Sequence, residues 1–222
     1  ARTLADMQAE FEAAFALTFE VTHLLGRVEN DAAADHEPAL LRLLTPLAKL
    51  WTGKLAVSIA SETLECFGGN GYIEDTGLPQ LLRDAQVYPI WEGTTNVLSL
   101  DVLRALGKSG LAPLRQHVEL LLDGAPQSHS APIRQALKRC EAVLAESASN
   151  PVGLQSQARG LAISLARVAA AALLYRQSRW DATQDHGDAR SSAALRLFVA
   201  HGLLRCDTAD PADIDALSRP SN

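Results

Sequence analysis

Between Ser61 and Arg104 the chain concentrates the residue types that could do chemistry. Gly68, Gly69 and Gly71 form a glycine-rich turn, and Glu92 stands between Trp91 and Gly93 just ahead of a helix start at Thr94 to Asn96. Bare backbone can bring N–H donors close to a phosphate, and the same glycines can equally cap the apolar helix that ends at Cys66-Phe67. Glu92 can act as a general base, its pKa lifted by an apolar wall such as Trp91, or can sit as a favourable charge at a helix N-terminus. Asp75 to Pro79 has turn chemistry, with Pro79 suited to open a short helix over QLLRDAQV. Thr94, Thr95 or Asn96 can cap the next helix, whose apolar face is Val97, Leu98, Leu100, Val102, Leu103 and Leu106.

Taken in order, Glu65-Cys66-Phe67-Gly68-Gly69-Asn70-Gly71-Tyr72, Arg83-Asp84-Ala85, Trp91-Glu92-Gly93-Thr94 and Arg104 resemble the C-terminal helical domain of the acyl-CoA dehydrogenases, which are FAD-dependent flavoproteins. The Trp-Glu-Gly form, Glu65 in place of the usual Gln, and an added helical region are most similar to the AidB-type branch, known for its link to the bacterial response to DNA alkylation. The resemblance implies α,β-dehydrogenation of an acyl-CoA thioester, with Glu92 as catalytic base and its N–H helping to hold the thioester carbonyl. Trp91 and Gly93 would flank the substrate. Gly68, Gly69 and Gly71 would receive the adenine-diphosphate arm of FAD from a neighbouring subunit, and Thr94 and Asn96 would contact its ribityl and adenosine parts. Asn96 is shorter than the commoner Gln, and Glu65 brings a negative charge toward a pyrophosphate. The resemblance further implies a homotetramer built as a dimer of dimers, an electron acceptor such as electron-transfer flavoprotein, a cytoplasmic setting, and possible association with nucleic acid. Because it begins within a domain, at Ala1, the sequence is expected to be the C-terminal part of a longer protein, inactive by itself.

The elements that must position these residues read as helices throughout. The 222 residues are 47% hydrophobic but only 5% aromatic, so the core must be aliphatic, and abundant Ala and Leu favour helix. Leu4, Met7, Phe11, Ala14, Thr18, Val21 and Leu25 predict an amphipathic helix over 3–25 ended at Gly26. Pro46 either kinks a long helix or restarts one capped by Thr45; restart is favoured. Leu47, Leu50, Trp51, Leu55, Ile59 and Leu64 then carry a buried stripe to the glycine turn, with Lys49 and Lys54 in solvent. Gly107 to Gly110 reads as a joint between two units, 1–107 and 108–222. In the second unit, Ile133, Leu137, Cys140 and Leu144 mark one helix, and Leu154, Ala158, Leu161, Leu165, Val168, Ala172 and Tyr175 form the clearest seam. Ala193, Leu197, Ala200 and Leu204 mark a last helix over 188–205, followed by a loose tail with one turn at 212–217. The fold class is all-α: an up-down helical bundle followed by a second bundle.

Charge limits the partners. The chain carries −6 in total, and the first 106 residues (−8) are more acidic than the remainder (+2). That balance argues against attraction of the whole chain to nucleic acid or an anionic membrane. Arg134, Lys138, Arg139, Arg159, Arg167, Arg176 and Arg179 read as a solvated face rather than a basic strip. No apolar run reaches the ~18 residues that span a bilayer. Cys66, Cys140 and Cys206 read as buried free thiols, six dispersed histidines show no ligand spacing, and no metal motif is present. Arg83-Asp84 reads as a structural ion pair, and Arg104 as either a solvated side chain or a support for the active-site end of the bundle.

Overall fold

A computed structural model of the chain describes residues 1–147, 150–184, 189–206 and 216–218, and among these there are helices and turns but no strand. The long helices are α1 (Arg2–Glu29), α2 (Glu37–Cys66), α4 (Thr95–Ser109), α6 (Gln127–Glu146) and α7 (Pro151–Asp181); α3 (Leu78–Ala85), α5 (Ala112–Leu121) and α8 (Arg190–Ala200) are shorter. The all-α expectation holds. Buried side chains from both halves form one continuous cluster running from Leu17 and Leu44 through Val102 and Ile133 to Phe198. Gly107 and Ser109 lie in the last turn of α4, and only Gly110, at φ +63°, leaves the helix.

The centre of that cluster is α7. Every residue from Leu161 to Tyr175 except Ile163 is buried, because alanines at 166 and 169–172 let neighbouring helices approach on all sides. The expectation that no apolar stretch reaches bilayer length is corrected: α7 is long and apolar enough to cross a membrane, with 83% of its apolar window buried inside the fold. Asn150 caps it by accepting from the Gly153 N–H at 2.9 Å. At Gly160 an added Cβ would drive into the Arg205 carbonyl, so the segment after α8 lies directly on α7. Ser164 reinforces that approach, its hydroxyl accepting from the Arg205 N–H at 2.7 Å.

Three helices differ from their sequence readings. In α1 the helix runs through Gly26 to Glu29, and the face turned to the core is Ala9, Ala13, Leu17, Glu20 and Leu24. Leu4, Phe11 and Leu25, from the predicted stripe, are exposed, as are Phe15 and Phe19. α2 is continuous, with Pro46 inside it and buried; the packing of Leu43, Leu44, Leu47, Leu50 and Trp51 along one wall outweighs the single missing hydrogen bond. Thr45 is not a cap, since its hydroxyl donates back to the Leu41 carbonyl at 2.7 Å. In α8 the buried positions are Ala194, Leu195 and Phe198 rather than the 193/197/200/204 stripe. The tail turn expected over 212–217 falls mostly outside the described residues.

The two halves are joined by buried charge. Arg167 of α7 donates to both Glu10 carboxylate oxygens at 2.7 and 2.9 Å and to the Gly202 carbonyl at 2.9 Å, and its guanidinium lies over Phe198 at 4.2 Å and Trp51 at 5.7 Å. His201 places its two ring nitrogens 2.8 Å from Glu10 and 2.9 Å from Asp6. A second set surrounds Glu20, which takes a 2.7 Å bond from Arg176 and has His117 Nε2 3.2 Å away without hydrogen-bond alignment. Burial pushes the Glu20 carboxyl up, but His117 and Arg176 outweigh it and hold the group down to about 2. Of the arginines read as a solvated face, Arg134 and Arg139 pair with Glu119 and Glu146, Arg179 donates to the Asp123 carbonyl, and Arg167 and Arg176 serve this seam.

Candidate functional site

The chemistry-bearing residues sit at two places along α2. Near its middle, Lys49 reaches out to the 91–94 turn, its Nζ donating at 2.7 Å to the Trp91 carbonyl and at 2.7 Å to the Gly93 carbonyl. The expectation of a solvated Lys49 is therefore corrected, and no local signal reveals its partners, 42 and 44 residues away. Burial lowers the Lys49 pKa while the charge of Glu92 opposes that shift. One turn further on, Gly53 lets the Tyr88 carbonyl group approach so closely that a Cβ would stand 3.2 Å from it.

Glu92 lies between the two clamped carbonyls at φ +52°, in the left-handed region, and Gly93 follows at φ +115°. A non-glycine residue held there costs about 1–3 kcal/mol and persists only where its surroundings impose it. Thr94 is the N-cap residue of α4 by backbone position, at ψ 162°, but its side chain makes no cap bond. Among the described residues no backbone carbonyl accepts from the Glu92, Gly93 or Thr94 N–H groups, so the helix start has free donors and a free hydroxyl. Beside this turn a cleft of about 300 Å³ is lined by Lys49, Thr52, Gly53, Ala56, Tyr88 and Trp91. Trp91, Glu92, Thr94, Asn96, Val97 and Leu100 are all exposed in this chain. Trp91 thus forms no enclosing wall around Glu92. Arg104 is 68% exposed at its side chain and 3.9 Å from Asp101, on the solvated side of its two readings.

At the C-terminal end of α2 the glycine turn folds as a short 3₁₀ segment, Gly68–Gly71. Its three glycines have different reasons to be glycine. Gly71 is buried against α2, where a Cβ would drive into the Leu64 carbonyl; Gly68 has φ +56°; Gly69 has nothing within 4 Å of where a Cβ would be. The turn is braced from outside by Thr76, which donates to the Asn70 and Ile73 carbonyls at 2.9 and 3.0 Å. Arg83 pairs with Glu74 at 2.9 Å, so the ion pair read for Arg83-Asp84 has a different acid. Cys66 is exposed and Cys206 half-buried; of the three thiols only Cys140 is buried.

The two places are not brought together. Leu64, under the glycine turn, and Lys49, under the Glu92 turn, are 15 residues apart on α2, or about 22 Å along a helix rising 1.5 Å per residue.

Residues 1–107 match the family model described as acyl-CoA dehydrogenase, C-terminal domain, and residues 111–214 match that described as acyl-CoA dehydrogenase 11 C-terminal domain-like. The chain is 45% identical over 184 residues to acyl-CoA dehydrogenase family member 11 of Caenorhabditis elegans, covering 78% of this chain and 30% of that protein. It is 40% identical over 106 residues to the putative acyl-CoA dehydrogenase AidB of Escherichia coli, covering 47% and 19%. The crystal structure of C. elegans ACDH-11 in complex with C11-CoA superposes with a TM-score of 0.84 at 38% identity, over 91% of this chain and 36% of that one. A Bd2924 apo-form gives 0.70 at 40% identity, over 80% and 33%. The chain spans about a third or less of the length of these relatives. By its helical architecture, its ordered motifs and both family models, the chain belongs to the acyl-CoA dehydrogenase C-terminal domain family.

Proposed function

We propose that this chain is the C-terminal part of an FAD-dependent acyl-CoA dehydrogenase, in which Glu92 removes the α proton of an acyl-CoA thioester, and that it is inactive without the remainder of the protein. The observation that carries this reading is the Glu92 backbone, held at φ +52° between two carbonyls gripped by one lysine. Strain of this kind collects where a side chain must be aimed. The C11-CoA in the ACDH-11 complex supports an acyl-CoA as the substrate class.

The donors present fit FAD. Gly68 and Gly69 offer exposed backbone with open space above it, and the start of α4 offers unpaired N–H groups and the uncommitted Thr94 hydroxyl. FAD, when bound, supplies the acceptor for the β hydride. The chain's own part is to take the α proton on the Glu92 carboxylate, to donate the Glu92 N–H to the thioester carbonyl, and to flank the substrate with Trp91 and Gly93. Thr94 and Asn96 would help to hold the cofactor. The ~22 Å along α2 between Lys49 and Leu64, the residues under the two turns, favours a cofactor site shared between subunits, with Gly68, Gly69 and Gly71 receiving the adenine-diphosphate arm held by another copy. A dimer-of-dimers tetramer, an acceptor such as electron-transfer flavoprotein and a cytoplasmic setting belong to the same proposal. The AidB-type, nucleic-acid-associated alternative has less support, because Arg134, Arg139, Arg167, Arg176 and Arg179, which would build most of a basic strip, are engaged by carboxylates and carbonyls of the fold.

The test is an anaerobic titration of the intact protein's flavin absorbance with a panel of acyl-CoA thioesters, beside Glu92→Gln. Bleaching by one chain-length class, slowed about 10²–10⁴-fold by the substitution, is the expected result. A flavin that stays oxidised with every thioester would overturn the proposal.

A further inference from the structure

The bonds from Lys49 do more than hold a loop in place. A trans peptide is planar, and its N–H points opposite to its C=O. The Trp91 carbonyl shares a peptide plane with the Glu92 N–H, and the Gly93 carbonyl shares one with the Thr94 N–H. Because Lys49 Nζ holds both carbonyls toward α2 at 2.7 Å, both N–H groups must face away from it, toward the exposed side of the turn. With both planes held, the dihedrals between them are no longer free, and Glu92 is kept in the left-handed region that it would otherwise leave. An ammonium on a peptide oxygen also draws electron density through the amide and makes its N–H a stronger donor.

We propose that Lys49 is a positioning residue for the reaction: by gripping the Trp91 and Gly93 carbonyls it turns the Glu92 N–H toward the thioester carbonyl, strengthens that donor, and fixes the direction of the Glu92 carboxylate. This rests on the proposed role of Glu92 as the base. Lys49 touches neither substrate nor cofactor in this scheme. Its effect passes through two peptide planes. The remaining Nζ proton has room in the adjoining cleft lined by Thr52, Tyr88 and Trp91.

The test uses the intact flavoprotein with Lys49→Met, which keeps most of the length of the side chain but removes its charge and donors, and with Lys49→Arg. The first readout is the absorbance of a conjugated cinnamoyl-CoA thioester, whose band moves to the red when its carbonyl accepts a strong hydrogen bond. The second is kcat against KM for the thioester that reduces the wild-type flavin. Expected is a Met variant that holds flavin and still binds the chromophore but loses most of its red shift, with kcat down about 10²-fold and KM within about threefold. The Arg variant should recover part of both. A merely structural lysine would alter thermal stability and leave the chromophore shift per bound ligand at the wild-type value; that result, or an unchanged kcat, would overturn the proposal. If the Met variant loses its flavin, Lys49→Gln, which retains a neutral donor, carries the same comparison. The two readings fail separately. A wild type that shifts the chromophore without reducing its flavin sinks the dehydrogenase assignment, with Lys49 still judged by the shift; one that reduces flavin without any shift sinks the carbonyl-holding role of the Glu92 N–H and, with it, that of Lys49.

Discussion

The seam between the two halves and the pair of turns along α2 use polar groups in opposite ways. At the seam, Arg167 and Glu20 are buried and Glu10 half-buried, and their charges are spent on one another and on Arg176. At the turns, polar backbone is left open to solvent and the few bonds present serve to aim it. The contrast separates stability from binding: the seam makes one body of two helical sets, and the turns keep donors unspent for a ligand. Changes at the seam should therefore alter folding and spare the cofactor. Changes at the turns should do the reverse, with Gly71 as the instructive exception.

The largest effect is expected at Arg167. Replacing it with Met leaves the half-buried Glu10 with His201 alone, and breaking a buried pair from one side costs up to about 3–5 kcal/mol. Denaturant unfolding should show that loss, a second substitution of Glu10→Leu should recover part of it, and flavin content per folded molecule should stay near wild type. A variant that loses flavin before it loses stability would break the division between seam and turns.

Acid should find the seam next. Because the Glu20 carboxyl is held at about 2 in the fold against an ordinary 4.5, its contribution is full above pH 4.5 and disappears as pH falls toward 2. The size is on the order of 3 kcal/mol. Glu20→Gln should flatten the acid limb of the stability curve. An unchanged limb would remove Glu20 from the seam's account.

The smallest effects sharpen the turn side. Gly71→Ala should cost about 1–3 kcal/mol, because the new methyl meets the Leu64 backbone, whereas Gly69→Ala should stay within about 0.5 kcal/mol and instead weaken flavin retention. Thermal melts of both variants, with and without added FAD, distinguish the two roles. Equal destabilisation by both would mean that the turn is built only for packing.

How far the sequence could be read follows the same division. The motif residues and the α7 seam were legible because each is local: turn glycines, an acid before a helix, an apolar period along one stretch. α1 misled because it has two apolar faces, and the bulkier one, with Phe11, is the exposed one, while the core takes Ala9, Ala13 and Leu17. Pro46 misled because a local penalty was set against packing that only the assembled helices supply. Lys49 and Arg167 were out of reach for a different reason. Their partners lie 42 to 157 residues away, and a lone cation on a helix carries no sign of which distant oxygen it will meet.

The burial of α7 on every side also constrains how the chain can change length. Successive residues of a helix are rotated by about 100°, so deleting one residue near its middle would swing every later side chain around the axis. Arg167 would give up its place to an alanine or a valine, and the alanine run would present itself to different neighbours. A helix with one wet face has a direction in which such an error can be hidden; this one has none. Length variation among relatives of this chain should therefore gather at the breaks around Gly110 and Gly124 and avoid the span from Leu161 to Tyr175.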